Sequence, residues 1–154
     1  MNKTIPLTLL LAASISAAVA GPLEEQIRWR QSAYSFLGWN TQKIKKQVVD
    51  HPETFNKDYV AAAANAIAAV ANSGLGELYG PGSDKGTGWQ ESRLKPEFFE
   101  KKDEVTTIAN AFNVAANDLA KVATAGDANA IKEKFGKLTE TCKSCHDLIR
   151  VKKE

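Results

Sequence analysis

The only two cysteines of this 154-residue chain stand three apart, at Cys142 and Cys145, and a histidine, His146, follows at once. Three-residue spacing puts both thiols on one side of a helix, about one turn apart, with His146 at i+4 from Cys142. On a helix, the thiol-bearing face would look onto whatever the thiols hold. Two thiols at that separation suit the two vinyl groups of a heme, and the adjoining imidazole can project beneath the ring they pin. The motif thus implies one covalent heme c per chain, attached through Cys142 and Cys145, with His146 as first iron ligand.

Other uses of the motif fit the chain less well. A redox disulfide of the thioredoxin kind belongs near the start of a helix in a βαβ unit, and no βαβ pattern is present. A structural zinc site needs four ligands, and beyond these three the only cysteine or histidine left is His51. Adjacent ligands at 145 and 146 would also crowd such a site.

The first 20 residues carry Lys3, an apolar stretch from Ile5 to Val19, and Ala18-Val19-Ala20 before Gly21. That is the pattern of a signal peptide with an A-x-A cleavage site, and its apolar run is too short to span a membrane. Residues 21–154 then form one heme domain in the periplasm, the compartment where c-type heme is attached. Without Lys3, 19 basic residues face 18 acidic ones. So balanced a charge offers nothing for nucleic acid or a membrane surface. The small basic clusters Lys43, Lys45, Lys46 and Lys152, Lys153 read as solvated surfaces or as a docking patch for an acidic redox partner protein.

Four segments show helical periodicity. The first, Leu23 to Val49, has Pro22 suited to its first position and an inward stripe of Ile27, Arg30, Tyr34, Leu37, Thr41, Ile44 and Val48, and Asp50-His51-Pro52 stops it. The second, Lys57 to Asn72, is rich in alanine, which lets neighbours approach closely. The third, Pro96 to Ala125, carries Val105, Ile108, Phe112, Ala115, Leu119 and Val122 inward, and Gly126 ends it. Asp127 can cap the fourth, whose inward stripe is Ile131, Phe135, Leu138, Cys142, Cys145 and Ile149. A glycine-rich loop, Ser73 to Lys95, joins the second and third segments and is expected to wrap one side of the cofactor. With no useful strand pattern, the fold class is all-α: an antiparallel four-helix bundle with heme in its core.

Methionine is the telling absence. The single one is Met1, which leaves with the signal peptide, so no thioether can complete the iron's coordination. His51, the one other histidine, lies at a helix end between Asp50 and Pro52, where reaching the iron needs a long excursion. Lysine or tyrosine ligation is open in principle, though lysine must first lose its proton. The default is an iron with an open distal face.

Several segments together resemble cytochrome c′, the periplasmic four-helix-bundle c-type cytochromes, over essentially the whole mature length. They are Trp29-Arg30-Gln31-Ser32-Ala33-Tyr34, Leu78-Tyr79-Gly80-Pro81-Gly82, Lys95-Pro96-Glu97-Phe98-Phe99, and Cys142-Lys143-Ser144-Cys145-His146 followed by Arg150. The resemblance implies a five-coordinate, high-spin heme with His146 proximal, binding of nitric oxide and carbon monoxide in a crowded distal pocket, and a homodimer. It implies cofactor-binding roles for Arg30, Gln31, Tyr34, Tyr79 and Arg150: Tyr34 on the distal side, Arg30 near the heme propionates, Arg150 beside the proximal histidine, Tyr79 against the macrocycle. Ile149 departs from the aromatic residue common there.

On the residues alone, each role has an alternative. Arg30 can meet an anionic group or snorkel to solvent. Tyr34 can be an ordinary core aromatic. Arg150 can oppose imidazolate character in His146 or simply favour the helix dipole. Trp29, Ala33 and Phe36 form a second ridge on the first helix, which packs either on the second helix or loop or on a partner's helix; dimerisation through helix one is the expectation. Three functions follow: a gas-binding heme protein that sequesters or buffers nitric oxide, an electron carrier, or a peroxidase-like enzyme. The last lacks an evident distal histidine, and weak turnover is the most the chain offers.

Overall fold

The computed structural model describes residues 23–152; residues 1–22, which include the expected signal segment and Pro22, and residues 153–154, which include Lys153, lie outside them. Helix α1, Leu23–Lys45, places Glu24 and Glu25 in its first turn and Lys43 and Lys45 in its last, each matching the helix dipole. The expected α-helix to Val49 ends instead in a π-helical turn, Lys46–Asp50. Pro52 disfavours the α conformation at His51, whose φ is −139°, so the chain closes with a His51 N–H to Lys46 carbonyl bond of 2.9 Å. Lys45 grips Asp50 across that turn at 2.6 and 2.8 Å.

Asn56 caps α2, Lys57–Ala71, by accepting from the Tyr59 amide at 3.0 Å. Its buried Ala63, Ala64, Ala68 and Ala71 let α1 and α3 close on it. The third helix starts later than the periodicity suggests. Pro96–Phe99 forms a separate 3-10 turn, and α3 runs Lys102–Ala125. Proline fixes the entry to that short turn, and Lys101 at ψ 39° breaks it from α3. Gly126 ends α3 in the left-handed conformation at φ +88°, which L-residues with a Cβ rarely adopt. Asp127 then caps α4, Ala128–Ile149, accepting from the Asn129 and Ala130 amides at 2.9 and 3.1 Å.

Close packing joins α1 to α2, α2 to α3 and α3 to α4, while α4 meets the π turn at one end and the Pro96–Phe99 turn at the other. This is an antiparallel four-helix bundle. Leu37, Ile44 and Val48 of the α1 line meet Ile67, Leu119, Ile131, Phe135 and Leu138 in one buried cluster. Each such side chain contributes about 1.5–3 kcal/mol relative to its exposed state.

The long loop straps the first half of α1. Gly80 N–H donates to the Gln26 side chain at 3.1 Å, Trp89 N–H to Gln31 Oε1 at 2.7 Å, and the Trp89 indole to Ser32 Oγ at 2.8 Å. A Cβ on Gly88 would come within 2.8 Å of the Arg28 backbone nitrogen, so only glycine allows this approach. The loop's end then pairs with the end of α4: Lys95 N–H donates to the Ile149 carbonyl at 2.8 Å and Val151 N–H to the Arg93 carbonyl at 2.9 Å.

Candidate heme site

Along α1 the inward stripe is buried at Ile27, Arg30, Leu37, Ile44 and Val48, yet Tyr34 in its middle is 38 % exposed. Along α4 the stripe is buried at Ile131, Phe135, Leu138 and Ile149, yet half-buried at Cys142 and Cys145. Both thiols act electrostatically on the Tyr34 phenol, which puts the two interruptions within interaction range of each other. Antiparallel α1 and α4 bring residue 34 level with residues 142–145.

Four side chains surround the facing positions. Tyr79 donates its hydroxyl proton to the Tyr34 hydroxyl at 2.9 Å. Its ring stacks on Phe98 at 4.6 Å and 16°, and Phe99 meets Phe98 edge-on at 5.2 Å. The Arg30 guanidinium lies 4.7 Å from the Tyr79 ring centre. Desolvation pushes both phenols above the usual tyrosine range, although the Tyr79 hydrogen bond pulls Tyr34 partly back.

Arg30 does not snorkel, and among the described residues it pairs with no carboxylate. It is 6 % exposed and spends four N–H groups on neutral oxygens: the Leu78 carbonyl (3.1 Å), Ser83 Oγ (2.9 Å), the Ser83 carbonyl (2.8 Å) and Ser92 Oγ (3.0 Å). Its donors are satisfied while its charge is not, and burial is the main cause lowering its pKa. Gln31, expected beside the cofactor, is engaged by the loop. Its carbonyl accepts from the Trp89 and Gln90 amides, and its NH2 donates to the Gln90 carbonyl at 2.8 Å.

His146 is exposed at the end of α4. The desolvation it does experience, followed by the charges of Arg150 and Arg93, lowers its pKa, while Asp147 opposes them. The neutral imidazole, the form that binds metal, is therefore favoured. Arg93 is held in place by donating Nε–H to the Val151 carbonyl at 3.0 Å. Burial raises both thiols above the usual cysteine range, the opposite of what a reactive redox pair requires.

Sequence reasoning did not pick out Arg93, Ser83, Ser92, Phe98 or Phe99 as site residues. The Phe98-Phe99 pair was visible after Pro96, but its alignment with Tyr79 depends on the 3-10 turn. The two serines carry no motif at all; only the folded loop delivers them to Arg30.

A cluster of aromatic rings beside two half-buried thiols, with a neutral imidazole next to them on the same helix, fits a covalently attached heme. The fold and this donor set define a four-helix-bundle c-type cytochrome. A family model described as Cytochrome C′ matches residues 25–150. The chain belongs to the cytochrome c′ family, and its cofactor is heme c. It is 50 % identical over 146 residues to cytochrome c′ of Allochromatium vinosum, covering 95 % of this chain and 92 % of that one. With cytochrome c′ of Rhodocyclus tenuis it shares 50 % over 129 residues, 84 % and 96 % of the two chains. A solved cytochrome c′ described as having an unusual ligand-controlled dimer dissociation superposes with a TM-score of 0.81 at 50 % identity, over 86 % of this chain and 98 % of the other.

Proposed function

We propose that this cytochrome is an exported, periplasmic heme protein that binds nitric oxide and carbon monoxide at an open distal face and so sequesters or buffers such gases. The observation that carries the reading is the pair of interruptions in two largely buried stripes, a phenol on α1 hydrogen-bonded to Tyr79 and two half-buried thiols on α4 within electrostatic reach of it. Residues 1–20 are taken as the signal peptide. Among the described residues no helix is long and apolar enough to cross a membrane.

In this reading Cys142 and Cys145 carry the thioethers and His146 ligates the iron. Arg30 offers a buried positive charge suited to a heme propionate, and Tyr79 and Phe98 offer flat apolar faces. Arg150, with Arg93, disfavours imidazolate character in His146 and so weakens its electron donation. A heme held by a single protein nitrogen supplies redox chemistry and an iron position for diatomic gases. Tyr34 is the distal side chain, and with no methionine after the signal segment none competes for that position. The family is one of heme-binding proteins, and the residues present call for no enzymatic turnover.

Absorption spectra of the purified protein, oxidised and reduced, with and without either gas, test this. A high-spin spectrum that changes on gas addition is expected. A six-coordinate low-spin spectrum indifferent to both gases would overturn the reading.

Dimerisation through α1 belongs to the same proposal. Trp29 and Phe36 of the second ridge are 59 % and 45 % exposed, so α2 and the loop leave that ridge uncovered. The half-identical relative with a ligand-controlled dimer supports this assembly. Electron transfer is the second reading: the exposed His146 is rimmed by Arg93, Lys95 and Arg150, a surface suited to an acidic redox partner.

A further inference from the structure

The two phenols of the site are held very differently. Phe98 stacks on the Tyr79 ring at 4.6 Å and the Arg30 guanidinium stands 4.7 Å above it. The ring is therefore held by two independent contacts, one aromatic and one cationic. The clamp is itself fixed, since Arg30 is tied by four hydrogen bonds to the loop at residues 78, 83 and 92. Tyr34 projects from the middle of α1, and among the described residues its ring has no aromatic or cationic neighbour of this kind. A helical tyrosine has two accessible χ1 wells. The side chain accepts one 2.9 Å bond, from the Tyr79 hydroxyl, which favours the rotamer that reaches it.

We propose that Tyr79 is a positioning residue: its clamped hydroxyl parks the Tyr34 side chain, and a gas entering beside Tyr34 must break that hydrogen bond. This rests on the gas-binding reading of the site and adds to it a gate whose strength is set by a loop residue. Tyr34 supplies the moving part and Tyr79 the fixed post.

The test compares heme-loaded wild type, Tyr79→Phe, Tyr34→Phe and the double variant. Removing the Tyr79 hydroxyl keeps the stack and the clamp. It should raise carbon monoxide affinity of the reduced protein about 2- to 10-fold, the range of one neutral hydrogen bond. In the Tyr34→Phe background the same change should do nothing further, because the acceptor is already gone. Ultraviolet resonance Raman of the gas-free protein reads the bond directly, and its hydrogen-bonded phenol signature should vanish equally in either single variant. An unchanged affinity in Tyr79→Phe, or an equal gain in both backgrounds, would refute the gate. Retention of the Raman signature in Tyr79→Phe would refute the contact. A wild-type protein that takes up no gas overturns the gas-binding reading and with it the gating role, while the Raman comparison still decides the tyrosine pair.

Discussion

The two ends of the bundle are built from the same helices on opposite terms. At the end formed by the last turns of α1 and the first turns of α4, Leu37, Ile44, Val48, Ile131, Phe135 and Leu138 close on one another and on α2 and α3. At the other end the same stripes present Arg30, Tyr34, Cys142 and Cys145, and the walls come from a loop and a 3-10 turn rather than a helix. The closed end is apolar and supported by helices. The site end holds a buried cation and two phenols, fixed by specific hydrogen bonds and stacking, beside two thiols. One stripe can thus be stable structure over half its length and cofactor cradle over the rest.

Replacing both cysteines by serine should break the contrast most severely. Mass spectrometry should show loss of the covalently attached heme, with the site end losing protection from hydrogen exchange and the closed end retaining it. Equal loss at both ends would show that the halves are not separable.

Leu138→Ala strikes the closed end instead. It should cost about 2–5 kcal/mol in urea unfolding, the usual range for a buried leucine, and leave the heme content intact. A comparable loss of heme would mean that the closed end shapes the site directly.

Arg30→Met should cost about 1.5–3 kcal/mol, because a charged donor set leaves the Leu78 and Ser83 carbonyls and two serine hydroxyls. Limited proteolysis within residues 73–95 should accelerate more than cleavage elsewhere.

The smallest effect is a pH dependence confined to the site end. Burial is the main cause that raises the Tyr34 and Tyr79 phenols above the ordinary tyrosine value of about 10. Folding therefore favours their neutral forms. That stability is fully present below pH 10 and declines as pH rises through the folded-state values. Urea midpoints should fall above pH 10, and by less in Tyr79→Phe. An identical fall in that variant would remove Tyr79 as a cause.

Much of this was legible in the chain. Gly126 and Asp127 punctuate α3 and α4, and the stripe from Ile131 to Ile149 put the thiols on the core side, because a helix carries its period in the sequence. The late start of α3 was not legible: Pro96 is a good first helical residue, and only the packing of Phe98 on Tyr79 favours a separate turn. Arg30 was placed correctly on the inward face but its partners were not. An arginine's reach is set by its own stem, while Ser83 and Ser92 reach it through a loop without periodicity.

By itself the sequence determined the four helical segments, most inward positions of α1 and α4 and the heme attachment motif, since spacing of 3 and 4 residues and residue chemistry are local properties. On α3 the buried line is Ala116, Leu119 and Ala123, because small residues let α2 and α4 close there. Only the tertiary structure decided that Tyr34 faces the thiols, that Tyr79 is clamped and that Arg30 is neutralised by no acid. Those depend on residues 45 to more than 100 positions apart being brought together, which the bundle's antiparallel packing and one long loop accomplish.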